Sequence, residues 1–83
     1  MISRKKWHIE GVATQIRKTK KGWWLTIKGD VKHECFIRHM IMDCWLPNLL
    51  VDNRRNFFKR FNATGVLNFE DSDCYFLTEK LLT

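Results

Sequence analysis

The sequence predicts a small, mostly β protein, a five-stranded barrel with a short helical segment between the third and fourth strands. Five segments have the apolar and polar patterning of strands, and turn-forming residues separate them. Three of the four glycines, at 11, 22, 29 and 65, fall where a strand would bend or turn. With 83 residues, 45% of them hydrophobic, the chain suffices for one domain, 1–83, with a packed core.

The first predicted strand, residues 7–17, contains a break in its alternation. In a regular strand, Ile9 would point to one face and Val12 and Ile16 to the other, and Gly11 lies between them. A bend at a glycine lets a strand keep its apolar residues inward on both sides of the break. We therefore expect one long strand that bends at Gly11 and can serve two sheets.

The second predicted strand, "WWLTIK", follows a polar turn at 18–22 and contains two adjacent tryptophans. Neighbouring side chains on a strand point to opposite faces, so Trp23 and Trp24 cannot both enter the core. One face carries Trp23, Leu25 and Ile27, and the other carries Trp24, Thr26 and Lys28. The apolar set predicts that Trp23 points inward and Trp24 points away from the core.

The third predicted strand, "HECFIRHMIM" at 33–42, follows a predicted turn, "GDVK", at 29–32. Pairing Lys28 with Lys32 would place Trp24 opposite Phe36. The same register would place Cys35, Ile37 and Ile41 on the core side. A slip of one residue would instead bring Phe36 inside.

The rest of the chain predicts a helical segment and a hairpin. Residues 43–58 break the alternation and predict one or two short helices, because Pro47 is acceptable in a first helical turn. Strand character returns in "KRFNATGVLNFE", residues 59–70. After the turn "DSD", the segment "CYFLTEKLL" at 74–82 predicts the fifth strand.

The net charge of +6 favours polyanionic partners, nucleic acid above an acidic membrane surface or protein. Residues 1–41 hold ten Lys and Arg against three Asp and Glu, whereas residues 42–83 hold five against six. The basic signal therefore belongs to the N-terminal half, including a basic arm at residues 1–6. The alternative explanation is that a basic pI only keeps a small protein in solution.

Location and cofactors are inferred from what the sequence lacks. No apolar run approaches the length of a membrane-spanning helix, and no apolar region follows the basic N-terminus as in a signal peptide. Three sparse cysteines argue against a disulfide framework. We expect a cytoplasmic protein with no membrane partner and no cofactor.

The element order resembles the oligonucleotide/oligosaccharide-binding (OB) fold, a five-stranded Greek-key barrel. The resemblance covers nearly the whole chain, and it is carried by Gly11 in "IEGVATQIR" and by the terminal hairpin "FNATGVLNFEDSDCYFLTEKLL". That hairpin is similar to the closing strands of bacterial nucleic-acid-binding OB domains. Other small barrels, such as SH3-like ones, have a similar element content.

The resemblance implies a site on strands two and three, walled by the loops that join strands 1–2 and 4–5. Carried over by position, the face comprises Trp24, Thr26, Lys28, Phe36 and Arg38, and the 1–2 loop supplies Lys18, Lys20 and Lys21. The 4–5 loop, 70–73, carries three carboxylates in four residues, which would repel phosphates.

The face combines aromatic and basic side chains, which are the two groups that hold single-stranded nucleic acid. Trp24 and Phe36 would stack bases. The phosphates would be neutralised by Lys18, Lys20, Lys21, Lys28, Lys32 and Arg38. Two alternatives remain: the N-terminal arm or Trp45 covers Trp24, or the face anchors a protein partner.

Neither a metal site nor a catalytic site is predicted. The spacing of His33, Cys35, His39 and Cys44 matches no standard zinc pattern. No phosphate cradle, nucleophile elbow or metalloprotease motif is present in the sequence.

The sequence thus predicts a non-enzymatic protein that binds single-stranded nucleic acid, with DNA favoured over RNA. A chain this small would assist a larger replication, repair or mobile-element protein, or would act as an oligomer. The alternative function is a protein–protein adaptor that uses the aromatic face or the acidic 4–5 loop.

Overall fold

The computed structural model describes residues 5–51, 59–70 and 73–82, and these form a closed barrel of five strands. The strands are β1 (Trp7–Lys18), β2 (Gly22–His33), β3 (Phe36–Pro47), β4 (Phe61–Glu70) and β5 (Asp73–Leu81). A 3-10 turn, Asn48–Leu50, follows β3. The predicted mostly β barrel with a short helical element between strands three and four is confirmed.

The strands follow the order β1-β2-β3-β5-β4 around the barrel. All neighbours are antiparallel except β3 and β5, which run parallel over residues 43–45 and 75–77. This closed five-stranded arrangement is compatible with an OB-like fold.

The core fills the barrel with inward-facing residues from every strand. Its largest fully buried side chains are Phe61, Phe76, Ile9, Leu25, Ile27 and Leu46. Trp23 packs against this cluster, as the alternation of β2 predicts. Within the described residues, no helix is long and apolar enough to cross a membrane.

β1 serves two neighbours, but its irregularity lies later than predicted. β1 pairs with β2 from His8 to Lys18 and with β4 only over its first five residues. The register shifts between Ala13 and Gln15, three residues beyond Gly11. Val12 and Ile16 are therefore not core residues; they are 47% and 43% exposed.

The two glycines at the middle of the β1–β2 pair let the backbones approach closely. Gly11 pairs with Gly29. A Cβ on Gly11 would overlap the Lys28 carbonyl oxygen, and a Cβ on Gly29 would overlap that of Glu10. Backbone atoms cannot rotate away, so this contact requires glycine on both strands.

The predicted register of the β2–β3 hairpin is wrong. β2 continues through the expected turn at 29–32, and the chain reverses at Glu34, whose φ of 52° is left-handed, and Cys35. Lys28 therefore pairs with Ile41, and Trp24 pairs with Trp45 rather than Phe36.

This longer hairpin reverses the faces predicted for β3. Met42, Cys44 and Leu46 enter the core. Cys35 is exposed, and Ile37 and Ile41 are 64% and 62% exposed, so none of these three is a core residue.

The predicted helical segment begins too early. Residues 43–47 continue β3, in which Cys44 and Leu46 alternate with Asp43 and Trp45. Pro47 is the last residue of the strand, where its missing N–H is tolerated. Residues 52–58, including the arginines at 54 and 55, lie outside the described part of the chain.

Candidate functional site

Three aromatic side chains from three strands meet on the outer surface of the barrel. Trp24 of β2 lies 5.0 Å from Trp45 of β3 and 5.2 Å from Tyr75 of β5, measured between ring centroids. The Tyr75 hydroxyl also accepts a hydrogen bond from Asn68 Nδ2 at 2.6 Å. We call these three rings the Trp24 cluster.

Strand pairing positions the Trp24 cluster. Trp24 and Trp45 are direct partners across β2 and β3, and Asp43 is the partner of Tyr75 across β3 and β5. Trp24 and Tyr75 each lie two residues after the first residue of their strand. The cluster therefore lies near the first residues of β2 and β5, at the end of the barrel where the β1–β2 loop is found.

An open groove runs along both sides of Trp24. One part has a volume of about 580 Å³, and the other has a volume of about 370 Å³. Both parts share Arg17, Trp24 and Asp43 as walls. Small-molecule sites have volumes of this order, about 300–1,000 Å³.

The groove carries charges of both signs. Arg17 is exposed on β1 directly opposite Trp24. The Asp43 carboxylate accepts a hydrogen bond from the Thr26 hydroxyl at 3.1 Å, and Asp73 lines the smaller part near Tyr75. One wall can therefore attract a phosphate, whereas Asp43 and Asp73 can accept hydrogen bonds from amino groups.

Hydrogen bonds from Asn48 hold the lysine-rich β1–β2 loop in place. Asn48 Nδ2 donates to the Lys20 carbonyl oxygen at 2.9 Å, and the Asn48 backbone N–H donates to that of Lys21 at 3.1 Å. Lys18 Nζ lies 4.5 Å from the centroid of the Trp23 ring. Lys20 and Lys21 are exposed, so the loop presents their ammonium groups to solvent.

The structure brings only part of the predicted site together. Trp24, Thr26, Lys28 and Lys32 share the outer face of β2. Phe36 and Arg38 are on the same face of β3 as its core residues. They lie near the turn of the β2–β3 hairpin, away from the Trp24 cluster. The predicted pair of stacking rings, Trp24 and Phe36, is therefore not formed.

The sequence prediction missed Tyr75 and Arg17, and it named Trp45 only as an alternative cover of Trp24, which Trp45 does contact. Trp45 was assigned to a helix, although Asp43 and Trp45 alternate with buried residues as in a strand. That alternation could have identified Trp45. The position of Tyr75 depends on the parallel pairing of β3 with β5, for which no local signal exists.

Phe36 belongs to a second aromatic group at the other end of the hairpin. Trp7 stacks on His33 at 4.7 Å and meets Phe36 edge to face at 5.8 Å. His33 Nδ1 lies 2.8 Å from the Lys6 carbonyl oxygen. Trp7 thus packs against the β2–β3 hairpin and does not cover Trp24.

The basic arm is described only in part. Lys5 and Lys6 are exposed, and Lys6 Nζ forms an ion pair with Glu79, whereas residues 1–4 lie outside the described part. Among the described residues, no three His, Cys, Asp or Glu side chains are grouped as a metal site would require.

Fold and site together define a closed five-stranded barrel with an aromatic, open groove on its outer surface. Comparison with known proteins found no matching family model, no similar curated protein and no similar solved structure.

Proposed function

We propose that this protein binds single-stranded nucleic acid without catalysis, DNA in preference to RNA, as an accessory to a larger replication, repair or mobile-element protein. The observation that carries the proposal is the Trp24 cluster in an open groove. Arg17 lines that groove, and the exposed lysines of the β1–β2 loop follow it in the chain after β1 ends at Lys18.

The position of the groove supports this function. The strand order is compatible with an OB-like barrel, and OB domains bind oligonucleotides on strands two and three between the 1–2 and 4–5 loops. The Trp24 cluster supports the proposal because its two tryptophans lie on β2 and β3.

In this proposal Trp24 is the base-stacking platform, and Trp45 and Tyr75 hold it in place. Stacking of one base on an aromatic ring contributes about 1–3 kcal/mol and tolerates any sequence. The sugar-phosphate backbone runs on the side of Arg17, Lys20 and Lys21, because Asp43 and Asp73 would repel phosphates on the other side. Lys28 and Lys32 extend the basic track along the outer face of β2.

The test is a titration of a labelled oligothymidylate, followed by its anisotropy and by tryptophan fluorescence at two salt concentrations. Binding should weaken steeply as salt is raised, because phosphate contacts release counterions. Trp24→Ala should weaken binding by about tenfold or more, as the loss of one stacked base predicts. Arg17→Ala should weaken binding and lower the salt slope by about one.

Phe36→Ala is the matched control, because Phe36 is a 47% exposed ring outside the groove. It should leave binding unchanged. An absence of binding at low salt would exclude the function, and equal losses in Trp24→Ala and Phe36→Ala would exclude the groove as the site.

The acidic wall of the groove favours one competing function, a protein–protein adaptor. The rings of the Trp24 cluster would anchor a partner protein, and Asp43 and Asp73 would repel phosphates but accept hydrogen bonds from that partner. Contacts anchored by aromatic residues are less sensitive to salt than phosphate contacts. A partner that binds equally well at both salt concentrations would favour this alternative.

A further inference from the structure

One edge of β3 has no strand beside it in the described part of the chain. Residues 36–42 pair with β2 on one side only, and the pairing of β3 with β5 covers just residues 43–45. Along these seven residues, the backbone N–H and C=O groups of alternate residues point away from β2 and have no neighbouring strand in the described part of the chain. Such an edge is a template for another strand unless charge, a proline or a bulge protects it.

The side chains on this edge do little to protect it. On the outer face, Ile37 and Ile41 are 64% and 62% exposed, and His39 lies midway between them. The single full charge on the edge is that of Arg38, which lies on the opposite face. Along the outer face, the order isoleucine, histidine, isoleucine is the same in both chain directions, so it suits pairing with an antiparallel copy of itself.

We propose that two copies of this chain associate through antiparallel pairing of their β3 edges, with the two-fold axis at His39. In this register each Ile37 lies opposite Ile41 of the second copy. Directly opposed side chains in an antiparallel pair are close enough to be in contact. The contact is isologous, so both copies use the same surface, and the assembly closes as a dimer.

Charge favours this register over its neighbours. With the axis at His39, each Arg38 lies opposite Met40 of the second copy. An axis at Arg38 would instead oppose two guanidinium groups and would separate the isoleucines. An axis at Met40 would place each Ile41 opposite His39 of the second copy, so that no isoleucine meets an isoleucine.

At the centre of the proposed seam, each His39 has a partner within its own chain. His39 Nδ1 lies 2.9 Å from Asp30 Oδ1, on the neighbouring strand β2. Where the two imidazoles meet on the axis, each therefore has a carboxylate beside it. Lys28 and Lys32, the partners of Ile41 and Ile37 on β2, stay one strand away from the seam.

The dimer would join the two barrels edge to edge, so that the order β1-β2-β3 of one copy continues into β3-β2-β1 of the second. The Trp24 cluster lies outside the paired residues 36–42, at the end of β3 away from the Glu34–Cys35 turn. The proposal therefore does not depend on the proposed nucleic-acid function.

The test is sedimentation equilibrium of the full chain and of two charge variants. The double substitution I37E/I41E would oppose carboxylates across the seam in two places, and we expect it to be monomeric. I37E/I41K would place each carboxylate opposite an ammonium group of the second copy, and we expect it to regain the dimer. All these side chains are largely exposed, so circular dichroism should show unchanged folding.

Leu49→Glu is the matched control, because Leu49 is 97% exposed and lies outside β3. It should dimerise like the unaltered chain. In the unaltered chain, amide hydrogen exchange of residues 36–42 should slow as protein concentration rises.

Three outcomes would overturn the proposal. The first is an unaltered chain that remains monomeric up to about 1 mM. The second is a dimer that persists in I37E/I41E, which would place the interface elsewhere. The third is a monomeric I37E/I41K that is folded, which would exclude the register centred on His39.

Discussion

Replacing Gly29 by alanine tests the closest approach of β1 and β2. An added Cβ would overlap the Glu10 carbonyl oxygen and would lie 2.5 Å from the Gly11 Cα. Overpacking against backbone atoms costs about 2–3 kcal/mol, of which the lower entropy of the unfolded alanine chain offsets about 0.4–1 kcal/mol. The free energy of unfolding should therefore fall by about 2 kcal/mol, from a total of about 4–12 kcal/mol for a domain of this size.

The assay is urea unfolding followed by tryptophan fluorescence, with calorimetry as a second measurement. The midpoint temperature should fall by roughly 8–16 °C. Lys28→Ala, at an exposed neighbouring position, is the control and should change stability by less than about 0.5 kcal/mol. A neutral or stabilising effect of Gly29→Ala would refute the close approach and would favour a turn at residues 29–32.

Three further predictions concern other parts of the barrel. Glu34→Gly should raise the free energy of unfolding by up to about 1 kcal/mol, because glycine adopts the φ of 52° without strain. The urea midpoint should therefore rise, and a lower midpoint would contradict this hairpin turn. Burial, and secondarily Asp43, raises the pKa of the Cys44 thiol far above 9.0. The unfolded thiol ionises above that pH while the folded one keeps its proton, so stability should fall by up to about 1.4 kcal/mol per pH unit. Urea titrations in this range should show the slope, and Cys44→Ala should reduce it, leaving the contribution of Cys74, whose pKa burial also raises. Asn48→Ala removes the hydrogen bond to the Lys20 carbonyl oxygen; it should cost about 1 kcal/mol and speed amide exchange of the β1–β2 loop, and unchanged exchange would contradict this role.

Local patterns were sufficient to predict the strands and one face of the barrel. The alternation through Trp23, Leu25 and Ile27 assigned β2 correctly, because a half-buried strand repeats every two residues. The same reasoning placed Trp24 outside the core, which is where the candidate site is found. The terminal hairpin was also predicted within a residue or two of β4 and β5.

Turn position and strand pairing could not be predicted locally. Gly29 and Asp30 are typical of turns, yet Gly29 is needed within β2 because it faces Gly11 at close range. The true reversal contains Glu34 and Cys35, which are not typical turn residues. Since the predicted register depended on that turn, Phe36 was assigned to the wrong face.

The pairing of β1 with β4, which closes the barrel, has a consequence for the order of folding. It joins residues far apart in the chain, for example His8 and Asn62, which are 54 positions apart and whose side chains form a hydrogen bond. Forming a hairpin such as β2–β3 closes only a short loop, whereas forming the β1–β4 pairing has the largest loop-closure entropy cost. We expect β1 and β4 to pair last. His8→Ala should therefore speed unfolding and leave the refolding rate nearly unchanged in stopped-flow measurements.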